Sequence, residues 1–366
     1  MTHRVRVTLP CLMLACCLVP ALPAHGADRE PAPVIYPVAQ PGRALGFPRD
    51  HGAHPDYRTE WWYVTGWVEH EGIERGFQIT FFRSRPGVQE DNESAFAPKQ
   101  LLFAHAAIAD PQRGRLLHDQ RAAREGFGLA YARTATTDVA IDSWKLVRTG
   151  DGYHANIVSE DFIIDLRLTP TQPLLLQGHD GFSRKGRLPH QASYYYSLPQ
   201  LRVDGSVRTG DGTAAVKGTA WLDHEWSSEI LPADAQGWDW VSVNLADGGA
   251  LMAFRMRSVG GGTLWAGGSV RDRLGKLAVL GPEDVVFEPQ RIWRSPRTGA
   301  DYPVSMRLRA GRHDLVIEPL MDDQELDSSA STGIVYWEGA VRARSGGKTI
   351  GNGYLELTGY AGRPEM

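Results

Sequence analysis

The sequence predicts an all-β protein built as two tandem antiparallel β-barrels. Three observations carry this. Short stretches with apolar residues at every second position recur along the chain, separated by Gly, Asp-Pro or Gly-Asp-Gly turns. Long amphipathic helical patterns are missing; the sole helix candidate is a turn or two around Asp119 to Arg124. And the order of motifs in the first half returns in the second.

Taken from its start, the chain opens with a basic pair, Arg4 and Arg6, and an apolar run from Val7 to Leu22 that is too short and Pro-punctuated to span a bilayer. Ala24-His25-Gly26 fits a small-x-small cleavage site, so residues 1–26 read as a signal peptide and the mature chain as periplasmic or secreted. All three cysteines (Cys11, Cys16, Cys17) lie inside this segment, which leaves the mature chain without a disulfide or thiolate. Membrane association is expected only if Cys16 is lipidated, and Met13-Leu14-Ala15 is a poor context for that. Residues 27–49 form a Pro-rich extended leader. Residues 50–230 are assigned to a first barrel and 231–366 to a second.

Within the first barrel, Arg58 to Gly66 is a strand crowded with aromatics, and the loop Glu69-His70-Glu71-Gly72 turns it into Phe77 to Phe82. Strands follow at Leu101 to Ala109, Ala140 to Arg148, Tyr153 to Val158 and Phe162 to Leu168. A strand entering from Val216 continues through Trp221-Leu222-Asp223-His224-Glu225-Trp226. In the second half, Trp238 to Val241 echoes Trp62 to Val64, Leu251 to Arg255 echoes Phe77 to Arg83, and Trp293 echoes Trp144. Asp314 to Pro319 echoes Asp165 to Pro170, Val335-Tyr336-Trp337 echoes Tyr194-Tyr195-Tyr196, and Gly353 to Thr358 echoes Gly218 to Asp223. Trp62 and Trp240 are expected in comparable places. Closure into barrels leaves no exposed sheet edge.

Charge narrows the function. Loss of residues 1–26 removes two arginines and no acid, leaving 37 Lys+Arg against 43 Asp+Glu, a net −6. No basic patch with interleaved aromatics is present, which argues against nucleic acid as a partner. His51-x-x-His54 lacks a third ligand, so no metal is assigned. Ser193, Ser227 and Ser228 lack the strand–turn–helix setting of a hydrolase nucleophile.

The candidate chemistry centres on Trp221 to Trp226. Alternation sends Trp221, Asp223 and Glu225 to one face and Leu222, His224 and Trp226 to the other. A histidine beside a tryptophan in a concave surface can move a proton next to an apolar ligand. His224 is therefore the candidate acid–base residue, with Asp223, Glu225 and Glu60 as accompanying carboxylates. Because first and last strands meet when a barrel closes, Glu60 is expected to reach His224 and raise its pKa, both facing an apolar cavity with Trp226. Trp226, Trp62, Trp221, His105 and Tyr195 are the candidate ligand contacts; Tyr195 faces away from Tyr194 and Tyr196, and His105 fits a satisfied core position equally well.

Thr59 to Gly66, Phe103-Ala104-His105-Ala106, Trp221 to Trp226, Tyr336-Trp337-Glu338-Gly339 and Gly353 to Tyr360 resemble the AttH/CrtC family, over nearly the whole mature chain. The resemblance implies two lipocalin-like barrels. It also implies two functional branches: hydratases of acyclic carotenoids, and exported proteins that accompany ABC-type export systems. The first needs no cofactor, because an acid protonates one alkene carbon and water captures the cation. His224 and Trp226 match the His and Trp of the hydratase motif. A Tyr-x-Asp pair expected on a following strand is absent, since Leu251 to Met256 holds no acid. Two readings follow: a binder of a hydrophobic or amphipathic small molecule, working with ABC transporter components, or a hydro-lyase or isomerase of a polyene or terpenoid.

Overall fold

The structure, a computed structural model, describes residues 34–364 apart from Asp211 and Ile230. The signal peptide, its cleavage site, Cys16 and residues 27–33 of the leader lie outside the described residues.

The strand expected to end at Gly66 runs on through Glu69 and His70 in β1 (Thr59–His70), because both still pair with β2; only Glu71 and Gly72 of the expected loop turn, both at positive φ, and return the chain as β2 (Ile73–Ser84). Next come β3 (Leu101–Asp110), β4 (Arg115–Arg124), β5 (Ala130–Ala132), β6 (Asp138–Ile141), β7 (Trp144–Thr149), β8 (Gly152–Val158) and β9 (Ile163–Thr169). Two short strands, β10 (Leu175–Leu176) and β11 (Phe182–Arg184), precede the long pair β12 (Ala192–Thr209) and β13 (Gly212–Glu229). All join one antiparallel sheet, in the order β4-β3-β2-β1-β13-β12-β9-β8-β7-β6-β5, which curls into a nearly closed barrel. The second sheet holds β14 (Ala235–Leu245), β15 (Ala250–Ser258), β16 (Thr263–Arg271), β17 (Leu277–Leu280), β18 (Val285–Arg294), β19 (Asp301–Ala310), β20 (His313–Pro319), β21 (Glu325–Ser328), β22 (Ile334–Ser345) and β23 (Lys348–Leu357). Its order is β17-β16-β15-β14-β23-β22-β20-β19-β18. Strand for strand, this repeats the path from β4 to β7, so the duplication read from sequence is a duplication of topology.

Three expectations are corrected. Asp119 to Arg124 is the second half of β4, not a helical turn: the helix-favouring Gln-Arg-Ala-Ala-Arg run pairs along its length with β3, and ladder formation overrides local propensity. Ala140 to Arg148 is broken into β6 and β7 by a turn in which Asp142 takes a positive φ. Trp62 and Trp240 are not equivalent. Trp62 packs inside the first barrel, whereas Trp240 faces outward into a layer between the barrels. Tyr63 is the true counterpart of Trp240, with Val64 and Val241 each filling its own barrel.

Each barrel has its own core, and a third cluster joins them. Tyr63, Trp67, Tyr195 and Trp221 from the first sheet meet Trp240, Met252, Phe254, Met256, Ala340 and Tyr354 from the second. Strand alternation explains how one strand serves two cores: Tyr194 and Tyr196 fill the first barrel while Tyr195 points out of it. Gly76 allows the close approach, since a Cβ there would lie 2.4 Å from the Ala340 Cβ. Trp67 crosses the seam, its Nε1 donating to the Gly353 carbonyl at 2.9 Å under the Arg342 guanidinium. Trp67→Ala should cost about 3–5 kcal/mol in urea unfolding, from lost burial plus the cavity left behind. A loss below about 1 kcal/mol would show that this layer does not hold the barrels together.

Candidate functional site

β13 separates two polar systems. On its inner face, His224 sits opposite Trp62 of β1, and Glu60 opposite Trp226. Closure of the barrel thus brings Glu60 Oε1 to 2.9 Å from His224 Nε2. Glu60 also accepts from the His54 backbone N–H (2.8 Å), His54 Nδ1 (2.8 Å) and Arg83 Nε (2.8 Å). Burial opposes its ionisation most strongly, but the His54 and Arg83 charges and these hydrogen bonds prevail and hold its pKa well below the carboxylate range. Arg83 spends its remaining N–H groups on Gln100 and on the carbonyls of His54 and Tyr57. A buried charge with this many partners positions the loop before β1.

His54, Glu60 and His224 are close enough to suggest a metal triad. The donor set does not fit one. His54 Nε2 meets Asp50 Oδ1 at 3.0 Å while Nδ1 meets Glu60, so both ring nitrogens face acceptor-only oxygens and must carry hydrogen. No lone pair is left for a cation. His224 differs: burial pushes its pKa down and Glu60 pulls it up only in part, which reverses the expected rise. Its ring stacks on Trp62 at 4.7 Å and Trp226 stacks on His54 at 3.7 Å. His224, Glu60, Trp226 and Trp62 therefore come together, but inside the first barrel and off the cavity they were expected to line. The reason is parity: cavity and barrel core lie on opposite faces of β13.

The outer face of β13 carries the other system. A cavity of about 660 Å³ lies between the barrels, walled by Asp223, Glu225, Tyr195, Tyr63 and His105 from the first and Trp238, Trp240, Phe254, Glu338 and Glu356 from the second. Asp223 and Glu225, placed beside His224 in sequence, face here. Asp223 accepts from Tyr195 (2.7 Å), Trp221 Nε1 (2.7 Å) and Ser197. Burial nevertheless raises its pKa to about 7, against the pull of these donors. Trp221 thus serves the site as a hydrogen-bond donor to Asp223, without lining the cavity. Glu225 pairs with Lys185 Nζ at 2.8 Å, and that ammonium lies over the Tyr195 and Phe254 rings. His105 reaches across the seam, Nδ1 to Tyr336 OH at 2.8 Å and Nε2 to Ser331 Oγ at 3.0 Å; burial drives its pKa to about 3, so the ring is neutral.

The second barrel adds acids that residue-by-residue reading passed over. Glu338 and Glu356 are direct cross-strand partners on β22 and β23. Burial raises Glu356 to about 7, against Thr358 and Trp238, whose Nε1 donates at 2.8 Å. Burial, then the neighbouring Glu356 charge, raises Glu338 well above the carboxylate range. The Tyr63 and Tyr336 hydroxyls oppose that rise, but among the described residues no donor is well aligned with its buried Oε1. A signal was present in the repeat. His224 opposes Tyr196, and Leu357 opposes Trp337, the counterpart of Tyr196. Glu356 is therefore the equivalent of Asp223, two residues from the alignment of Gly353 to Thr358 with Gly218 to Asp223, which gave Asp223 a threonine as its match.

Two predictions follow from the inner face. Glu60→Gln should destabilise by about 3–5 kcal/mol, because Arg83 and His54 lose their buried partner. Buried neutral histidines also set acid sensitivity: His51 lies at about 4 and His105 at about 3, against an unfolded value near 6.5. As pH falls below about 6.5 the unfolded chain takes up protons the folded chain refuses, so stability drops by on the order of 1 kcal/mol per pH unit per histidine. The raised carboxyls Asp223 and Glu356 act oppositely over the same range, so the histidine share is the difference between the parent and His105→Asn in the change of urea midpoint from pH 7 to 5; equal changes would contradict it.

Comparison with known proteins fits this architecture. A crystal structure of an AttH candidate from Nitrosomonas europaea superposes with a TM-score of 0.82 at 54% identity, covering 90% of this chain and 99% of that one. Kievitone hydratase from Nectria haematococca shares the fold, with a TM-score of 0.66 at 13% identity over 90% of this chain and 98% of the other. No curated protein sequence matches. The AttH-like family profile spans residues 38–360, and with it the whole described pair of lipocalin-like barrels: the chain belongs to the AttH-like family.

Proposed function

We propose that the chain binds an apolar or amphipathic small molecule between its barrels and protonates a carbon–carbon double bond of it, acting as a cofactor-independent hydro-lyase. One observation carries this reading: three carboxyl groups with raised pKa, Asp223, Glu338 and Glu356, face one aromatic-walled cavity. An acid kept neutral by burial is a proton donor at neutral pH.

Among the three, Glu338 suits the donor's role. Asp223 is held by three well-aligned hydrogen bonds and Glu356 by two, whereas Glu338 is faced only by the Tyr63 and Tyr336 hydroxyls, and its buried Oε1 meets no donor in good alignment. Its proton passes to one alkene carbon, leaving a cation on the other. The faces of Tyr63, Trp238, Trp240 and Phe254 favour such a cation over water. Water then adds, and its surplus proton returns to the Glu338 carboxylate, so the net change is H and OH across the double bond. Dehydration is the same path reversed. The resemblance to carotenoid hydratases is consistent with this chemistry, carried by other residues than His224. Export and cooperation with an ABC-type system belong to the same proposal.

Glutamine is isosteric with a neutral carboxylic acid. Glu338→Gln should therefore keep stability within about 1 kcal/mol at pH 7 while lowering turnover at least about 100-fold. Between about pH 4 and 7, stability should fall as pH rises, because Asp223 and Glu356 keep in the folded state protons that the unfolded chain, with carboxyls near 4, has already released; above about 7 the loss levels off, and urea midpoints across this range measure it. Acyclic polyenes and terpenoids incubated in ¹⁸O-water, with products read by mass spectrometry, provide the assay. Full turnover by Glu338→Gln would remove it as donor. Tight binding with every ligand recovered unchanged would leave a binding protein.

A further inference from the structure

The exposed residues that line the cavity, Arg58, Glu229 and Arg363, mark its mouth. On the first-barrel side, Arg58 precedes β1 and Glu229 ends β13, so the strand register places that side of the mouth. Thr59 pairs with Ser227 and Ser84, Ser84 with Leu101, and Leu101 with Arg124, so these strand ends share one end of the sheet. The loops leaving that end are unusual in what they expose. Phe96, in the loop between β2 and β3, is 62% exposed, and Phe127 and Leu129, in the loop between β4 and β5, are 59% and 65% exposed. Val88, in the loop between β2 and β3, and Ile35 are exposed as well.

These side chains are held in place. The Phe96 and Phe127 rings lie 5.0 Å apart, and the Arg124 guanidinium covers both, at 4.8 and 5.7 Å, while donating to the Phe96 carbonyl at 2.6 Å. Arg124 therefore ties two loops into one aromatic tip. Ile35 belongs to the same end: Tyr36 OH donates to the Arg85 carbonyl at 2.8 Å, and Ser228 Oγ to the Pro37 carbonyl at 2.5 Å.

We infer that this end of the first barrel docks on a lipid surface, placing the cavity mouth where an apolar ligand resides. Single apolar side chains on separate loop tips, flanked by long cations, match insertion into the headgroup boundary; a stable protein interface needs a broad continuous surface. The chain outside the described body points the same way. Residues 1–33 join it at Val34, next to Ile35, and Leu22, the end of the apolar run, is twelve residues upstream, within about 40 Å of fully extended chain. Glu90, Asp91 and Glu93 lie in the same loop as Phe96, so attraction to anionic lipid is not the driving force. Insertion of Phe96, Phe127 and Leu129 is. The inference uses the position of the cavity mouth and not the acid chemistry within.

The test is flotation with vesicles of pure phosphatidylcholine, using a chain that begins at Ala27 and so keeps every described residue. The expected result is co-flotation that persists at 1 M salt, and at least about a ten-fold loss of partitioning in the triple variant Phe96→Ser, Phe127→Ser, Leu129→Ser. Circular dichroism melting of the variant checks that it folds, and Leu274→Ser, at an 80% exposed position in the turn between β16 and β17 of the second barrel, is the matched control. Three results would overturn the inference: no partitioning of the parent, equal partitioning of parent and triple variant, or a parent dimer in sedimentation that the triple variant abolishes. Hydro-lyase turnover in detergent is read separately, so failure of docking and failure of the proposed reaction are distinguishable.

Discussion

A β-strand can send consecutive side chains only to opposite faces, and in Trp221 to Trp226 that constraint decides where the chemistry is. His224 and Trp226 are committed to the barrel core by the same pleat that commits Asp223 and Glu225 to the seam. Neighbours in sequence thus serve separate environments. Everything else at the site follows: the partners each group finds, the protonation state each environment favours, and the division between a polar network that holds the fold and one that faces a ligand.

Both environments are dry, yet they handle charge in opposite ways. Inside the barrel, Glu60 is ionised because Arg83, His54 and His224 all donate to it, and removing any one partner exposes the cost of a buried charge. At the seam, cations are scarce: Lys185 is taken by Glu225, and the remaining acids face one another and aromatic rings. There the cheaper state is the neutral one. The same residue type is an ion on one side of a single strand and an acid on the other, and the difference is the supply of donors.

Much of this was legible in the chain. Alternation and turn residues gave the all-β class, the ordered echoes gave two barrels of matching strand order, and barrel closure gave the contact between Glu60 and His224. Three features hid from the same reading. Helix-favouring residues in Asp119 to Arg124 masked a strand, because pairing with β3 is a tertiary property that propensity does not encode. The cavity was expected on the His224 and Trp226 face of β13; that two barrels press outward faces together depends on contacts such as Gly76 against Ala340. Glu338 and Glu356 stood in quoted motifs without a role, since their partnership appears only when β22 and β23 are set side by side.

The matched strands give the cavity a near two-fold plan, with Asp223 answering Glu356 and Tyr195 answering Tyr336, but the symmetry is broken in what flanks them. One wall carries the Lys185–Glu225 ion pair, and the other carries Glu338 at the position Ser197 holds opposite Asp223. A long ligand lying across the seam meets a zwitterion with one end and a neutral acid with the other. Head and tail are thereby distinguished before any bond changes, and a molecule with identical ends can be served at only one of them per visit.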